Sequence, residues 1–318
     1  MQTLAFLFAV TFLPDAGELH SAFKPAGGPY SSKDPAVLAR HFRQMFQNGI
    51  TVAVVSWWGR PESAGGSATA DTQGVNTDAL IAAVLDAAQE HGVSVAFHME
   101  PYHGRSVASV REDMRYLHEH YLSHAAVFRA CTAQHTDGGT VFGLEQQQCE
   151  HSSLRPVVFM YDSYHIPSAE WAPLLHPMHQ GGGSSVRGTL LDALFIGLWS
   201  EQRHGPQLVQ SGFDGAYSYF ASDGFVYGSS KRNWGSMNSF TKQHHMVFLP
   251  CVGPGYDDSR IRPWNAHNTK DRENGAYYAR MWSAAVHLTP PPAGVGITSW
   301  NEWGEGTQIE PAEAGTVS

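Results

Sequence analysis

The sequence predicts an α/β barrel built from parallel strands. Three observations lead there. Seven short apolar runs alternate with segments of helical periodicity, which implies a parallel sheet with crossover helices. No G-x-G-x-x-G turn follows the early strands, which counts against an open dinucleotide-binding sheet. Polar and aromatic residues gather just past nearly every strand's C-terminal end, the face where a barrel of eight such units carries its chemistry.

The elements follow in order. Asp34-Pro35 reads as an N-cap followed by proline at the first helical position, and Leu38, Phe42 and Met45 recur at helical spacing until Asn48-Gly49. Residues Ile50–Trp58 are apolar and β-branched throughout, as in a strand covered on both faces, and a Gly/Ser-rich loop follows. Thr77–His91 is an Ala/Leu-rich helix stopped by Gly92, and Val93–Met99 is the next buried strand. Residues 107–121 read as helix and 129–155 as a long polar loop. Strand Pro156–Tyr161, a short helix Pro167–Leu175 and strand Ala193–Leu198 continue the alternation. A weak helix at 200–211, strand Ala216–Phe220, a helical region at 231–243, strand His245–Val252, helix 274–288 and strand Gly294–Trp300 complete it.

Seven strands are one short of a closed barrel. The missing one is either supplied by residues 3–12 of the apolar run "MQTLAFLFAVTFL" or absent from this chain. That run is too short to span a bilayer, and its rival reading is a signal-peptide h-region, although a basic n-region is lacking.

Composition narrows the function. A chain of 318 residues fits one large barrel, and a net charge of −9 without a basic stripe excludes a phosphate-backbone partner. Nine Trp and twelve Tyr first fill cores, but they also offer flat faces to sugar rings. Cys131, Cys149 and Cys251 lack metal-site spacing; Cys131 and Cys149 lie close enough in sequence to pair in an oxidising compartment, yet all three are expected to be free.

The strand ends bring Trp57-Trp58, His98-Met-Glu100-Pro-Tyr102, Tyr161-Asp162-Ser-Tyr164, Trp199, Tyr217 to Asp223, Gly253-Pro-Gly-Tyr256 and Asn301-Glu302-Trp-Gly-Glu305 to one rim. His98 and Glu100 can be a satisfied strand-edge pair, and a metal reading wants further ligands. Asp257-Asp258 and Arg262 to Asn265 read as a solvated loop; alternatively Arg262 donates to sugar hydroxyls or clamps a catalytic carboxylate. Glu302 and Glu305 are the sharpest pair. Three residues apart on a strand they would point to opposite faces, so both reach one pocket only if the chain turns, which Gly304 would permit and Gly306 would ease. Two carboxylates close together are what glycoside hydrolysis requires, with Trp300 and Trp303 excluding water.

The stretches "SSKDPAVLARHFRQM", "VSWWG", "VAFHMEPYHGR", "YDSYHI", "GFDGAYSYFASDGF", "GPGYDDSRIRPWN" and "TSWNEWGEGTQIEPA" resemble the endo-α-mannosidases of glycoside hydrolase family 99 over roughly residues 18 to 312. The resemblance implies a (β/α)8 TIM barrel that cleaves an internal α-1,2-mannosidic bond with retention, using no metal or cofactor. It implies an N-glycan oligosaccharide as substrate, a monomer, and a Golgi location in animals. By motif, Glu302 is the base that takes the proton of the substrate's 2-hydroxyl, which attacks to give an anhydro sugar, and Glu305 is the acid/base at the leaving oxygen. Trp58, Glu100, Tyr219 and Arg262 match pocket-lining positions, and His98, Tyr102, Asp162, Tyr164, Asn265 and Asn301 are further substrate-binding candidates.

Two departures set further expectations. The family's first strand lies well upstream of the region matching 19–30, and no helix follows the last strand before residue 318. The chain is therefore read as an apolar segment at 1–17 and one barrel domain at 18–318, lacking the last helix and, unless residues 3–12 supply it, the first strand. Competing readings are a carbohydrate-binding pseudoenzyme and a metal-dependent hydrolase using His98 and Glu100.

Overall fold

Gln2–Leu7 of the N-terminal apolar run form a barrel strand. In the computed structural model, which describes residues 1–8, 21–60, 77–134, 140–143, 153–177 and 182–313, β1 spans Gln2–Leu7. It pairs in parallel with β2 (Val52–Trp57) on one side and β11 (Gly294–Ile297) on the other. Its alternation explains the fit: Leu4 and Phe6 join the cluster inside the barrel, whereas Ala5 and Leu7 join the layer between strands and helices. Of the two alternatives for the first strand, the N-terminal run supplies it, over Gln2–Leu7, and the reading in which it is absent is corrected; residues 9–12 of the expected 3–12 lie outside the described residues. The apolar run Leu4–Leu7 satisfies both faces of a barrel wall, which single-chain hydropathy does not separate from a leader.

The other parallel strands are β3 (Ser94–Met99), β6 (Arg155–Met160), β7 (Leu194–Leu198), β8 (Gly215–Tyr217), β9 (Val247–Leu249) and β10 (Cys251–Val252). The order β10-β11-β1-β2-β3-β6-β7-β8-β9 closes on itself, because β9 and β10 are one strand interrupted at Pro250, with β9 pairing β8 and β10 pairing β11. Eight strand positions result, a (β/α)8 barrel. Proline supplies no N–H to the ladder; its carbonyl still accepts from Gly296 at 3.0 Å, and Ser218 Oγ accepts from Cys251 N–H at 2.8 Å.

Helices α1 (Pro35–Gln47), α2 (Ile81–His91), α3 (Val107–His120), α4 (Ser168–Leu175), α5 (His204–Ser211), α6 (Trp234–Gln243) and α7 (Ala276–Val286) surround the sheet. Asp34 caps α1 by accepting from Ala36 N–H, and a reciprocal Ser106–Ser109 capping box starts α3. Among the described residues no helix follows β11. None is long and apolar enough to cross a membrane.

Three expectations need correction. The stretch expected as loop at 129–155 contains an antiparallel hairpin, β4 (Arg129–Gln134) with β5 (Thr140–Gly143), and β4 also pairs β6 at Arg129↔Pro156. Its Gln- and Gly-rich sequence lacks the alternation that advertises strands, so pairing with a neighbour decides it. Cys131 in β4 is disulfide-bonded and Cys251 is free and buried; Cys149 lies outside the described residues, as does the Gly/Ser-rich loop after Trp58 from 61 to 76. Strand β11 ends at Ile297, three residues before the expected end at Trp300, so the glutamate-bearing segment is an independent loop.

Candidate active site

Strand alternation delivers the floor of the site. Ser56 and His98 are register partners on β2 and β3, two residues beyond the interior positions Val54 and Ala96, and so face inward at the barrel's C-terminal end. His98 Nδ1 donates to Glu100 Oε1 at 2.7 Å, and Ser56 Oγ donates to the same oxygen at 2.8 Å. The Tyr217 hydroxyl donates to His98 Nε2 at 2.8 Å. Both nitrogens of the imidazole are thus engaged within the floor of the site. Tyr219 stacks on the His98 ring at 5.5 Å, and Phe6 and Tyr161 close its sides at 5.0 and 5.2 Å.

The loop after β11 holds both candidate glutamates. Ser299 and the segment Thr307–Ile309 pair back to back, with Ser299 N–H on Thr307 O at 2.9 Å and Ile309 N–H on Ser299 O at 3.0 Å. The chain thus folds over and presents Glu302 and Glu305 from one tip, with Ser299 Oγ accepting from Glu302 N–H at 2.8 Å. The residue in left-handed conformation is Gly306, at φ 62°, and not Gly304. A Cβ on Gly306 would stand 3.1 Å from the Asp257 backbone, whose N–H donates to Glu305 O at 2.8 Å.

Trp300 and Trp303 sit below this tip, 2% and 1% exposed. Trp303 Nε1 donates to Tyr30 Oη and to Glu310 Oε2, both at 3.2 Å. The two indoles therefore anchor the loop from beneath. Glu310, a third carboxylate of the same motif, is consumed by Tyr30 at 2.6 Å and His41 at 2.8 Å.

Arg262 reaches across from the loop after β10. Its Nη1 donates to Glu305 Oε1 at 2.9 Å and to Asp258 Oδ2 at 3.1 Å. Asp258 Oδ2 also accepts from Tyr256 Oη at 2.8 Å and Asn265 Nδ2 at 2.9 Å. Burial pushes both glutamates up. Glu302, raised further by the charge of Glu305, moves to about 8 although Arg262 and the Gly304 N–H oppose the shift. Glu305 is raised as well, against the direct pull of Arg262. Burial also pushes Asp258 upward, but donation from Asn265, Tyr256 and Arg262 outweighs it and holds that carboxyl below its usual range.

The structure thus brings together Glu100, His98, Tyr219, Arg262, Glu302 and Glu305. Trp58 is half-buried just past β2, where its N–H donates to Thr77 Oγ1. Asp162 accepts from the Tyr164 hydroxyl at 2.6 Å, and Tyr164 stacks on His204 at 4.3 Å. Three candidates serve the framework. Asn301 is fully buried with its amide on the Phe8 backbone and Tyr30; the Tyr102 hydroxyl bonds Asp113 and Ser109; Asn265 stands behind Arg262. Sequence reading placed Tyr161 and Tyr217 at the rim without a role, and missed Ser56 and Arg105, whose guanidinium ties the carbonyls of Tyr161 and Asp162 at 2.7 and 2.8 Å. It also read Asp258 as solvated, whereas its side chain is wholly buried. For Ser56 the two-residue spacing from Val54 was an available signal; for Asp258 there was none. Among the described residues no group of three or more His, Cys, Asp or Glu is gathered as a metal would require.

The pattern of glycosyl hydrolase family 99 matches residues 6–318, and the chain belongs to that family. The rat protein named glycoprotein endo-alpha-1,2-mannosidase is 42% identical over 295 residues, 93% of this chain and 58% of its own length. A human glycoprotein endo-alpha-1,2-mannosidase-like protein is likewise 42% identical, again with 58% of its length covered. The chain thus spans somewhat under two thirds of the curated relatives it matches. The solved structure of the family 99 endo-alpha-mannosidase from Bacteroides thetaiotaomicron, in complex with bis-tris-propane, superposes with a TM-score of 0.80 at 37% identity, covering 98% of this chain and 87% of the other.

Proposed function

We propose that this barrel carries the site of a retaining endo-α-1,2-mannosidase that cuts an internal mannosidic bond of an N-glycan. The observation that carries the reading is the pair Glu302 and Glu305 on one folded tip, both with raised proton affinity, over a floor of Glu100, His98 and aromatic rings. A carboxylic acid that keeps its proton near neutrality is what departure of a sugar oxygen needs. The names of the relatives support the substrate class.

In this reading the ionised Glu302 takes the proton of the mannose 2-hydroxyl as that oxygen attacks the anomeric carbon, while Glu305 gives its proton to the departing glycosidic oxygen. Water then opens the anhydro sugar, losing a proton to Glu305 as Glu302 returns one to the 2-oxygen. Two inversions leave the anomeric configuration retained. The substrate is an oligosaccharide, the protein acts as a monomer, and in an animal cell its place is the Golgi apparatus, at the membrane or in the lumen.

One observation favours an exchange of roles. Arg262 bonds Glu305, which favours its anion, whereas Glu302, which has no such bond, is pushed up to about 8. Leaving-group chemistry separates the two readings. Glu305→Gln should lose about 10²–10⁴-fold on a glycan but recover on a mannosyl fluoride, whose departure needs no proton, while Glu302→Gln should lose on both. Rescue of Glu302→Gln alone reverses the roles. Failure of the unaltered chain to release a glucosyl- or mannosyl-mannose disaccharide would favour the carbohydrate-binding reading instead.

A further inference from the structure

Asp258 stands one step from the reacting groups. Its side chain is wholly buried, whereas those of Arg262 and Glu305 are 42% and 22% exposed. A buried carboxylate needs strong compensation, and here a single oxygen, Oδ2, collects three donors while Oδ1 has no hydrogen-bond partner. Two of those donors, the Tyr256 hydroxyl and the Asn265 amide, would be served equally well by a neutral amide oxygen. The negative charge bears on Arg262 and, through space, on Glu305, and Arg262 Nη1 is the same nitrogen that holds Glu305 Oε1.

We propose that Asp258 is a positioning residue: it offers the Arg262 guanidinium a second seat and so limits how far that charge strips the proton affinity of Glu305. This rests on the reading that Glu305 works as the acid, for which a guanidinium devoted to it alone would be harmful. With Nη1 divided between two carboxylates, Arg262 can turn toward Asp258 as Glu305 takes up its proton, so the acid form forms without leaving a bare cation. The other groups bearing on Glu305 are Glu302 on its own loop, Glu100 after β3, Tyr256 beside Asp258, and Tyr161 and Tyr219 across the rim. None of these changes when Asp258 is replaced by its isostere, but the Asp258 charge also raises Glu305 directly through space, so the Tyr256→Phe arm, which keeps that charge, separates the shared guanidinium from simple repulsion.

The test uses the full chain labelled with ¹³C at glutamate side-chain carboxyls, with the Glu305 resonance assigned by its loss in Glu305→Gln. Asp258→Asn should lower the Glu305 titration midpoint by about one pH unit or more, since an unshared opposite charge at contact depresses a carboxyl by roughly 1–3 units. The high-pH limb of kcat/KM on a glycan should move down by the same amount. Tyr256→Phe removes one competing donor from Asp258 without touching its charge, and should raise the midpoint. That opposite sign is not expected of a residue that merely holds the loop together, and it keeps the proposal testable if Asp258→Asn does not fold. An unchanged or raised midpoint in folded Asp258→Asn, or an unchanged or lowered one in Tyr256→Phe, overturns the proposal. Midpoints that fall in Asp258→Asn and rise in Tyr256→Phe while the glycan pH limb does not move support the shared guanidinium and instead sink the assignment of Glu305 as the acid.

Discussion

Replacing Phe6 by alanine probes the first strand and the site together. The ring is 1% exposed inside the barrel, with centroids 5.0 Å from His98, 5.1 Å from Tyr219, 5.8 Å from Tyr217 and 5.9 Å from Phe159. Truncating a core phenylalanine costs about 3–5 kcal/mol, and losing several edge-on aromatic contacts, each about 0.5–1.5 kcal/mol, places this one in the upper half of that range. Unfolding entropy of about 2.1 cal/mol/K per residue over the 318 residues converts about 4–5 kcal/mol into a fall in Tm of about 6–7 °C. His98 loses one of its walls in the same stroke, so the bond that orients Glu100 loosens and glycan hydrolysis falls even in the folded fraction. Leu4→Ala, one interior layer further from the rim on the same strand, should lower Tm comparably and spare the folded fraction's activity. Calorimetry at matched pH with parallel rate measurements on intact-mass-verified protein reads both quantities. A Tm within about 1 °C of the parent for Phe6→Ala would refute the placement of residues 2–7 in the barrel wall.

Tyr217→Phe deletes only the donor to His98 Nε2 and strands a buried acceptor, so stability should fall by about 1–3 kcal/mol in a denaturant titration; no change would mean that the imidazole does not depend on that hydroxyl. Glu302 illustrates a raised pKa: the folded state holds its proton more tightly than the unfolded chain, so stability is fullest below the ordinary carboxyl range and declines as pH rises toward about 8. Glu302→Gln should remove that decline, melting above the parent at pH 8 and close to it at pH 4, and an identical pH profile of Tm in the two proteins would contradict the shift. Gly306→Ala forces a side chain into a left-handed position against the Asp257 backbone, at a cost of about 1–2 kcal/mol or more together with loss of activity. Gly304→Ala should be better tolerated, and equal damage at both positions would argue against the loop geometry.

Much of the barrel is legible in the chain itself. Runs such as Val52–Trp57 and Ser94–Met99 are apolar on both faces, and the only stable use of such strands is a wall packed inside and out. Glu302 and Glu305 were legible for a related reason: a polar, aromatic cluster after a buried strand contradicts its surroundings. Periodicity does not specify what a side chain meets across the barrel. Glu302, Glu305 and Glu310 share one motif, yet Glu310 disappears into bonds with Tyr30 and His41 and only the first two reach the rim. Asn301 looks like a sugar ligand until its amide is seen clasping Phe8, 293 residues away in the chain. Asp258 looks solvated until Tyr256, Asn265 and Arg262 converge on one oxygen. Composition and spacing determined a parallel α/β barrel with carboxylates at its mouth, and tertiary pairing of Gln2–Leu7 decided that it closes. Which carboxylate is buried, paired or free to hold a proton was decided by tertiary structure, because desolvation and charge act through space over a few ångströms between residues that the sequence keeps far apart.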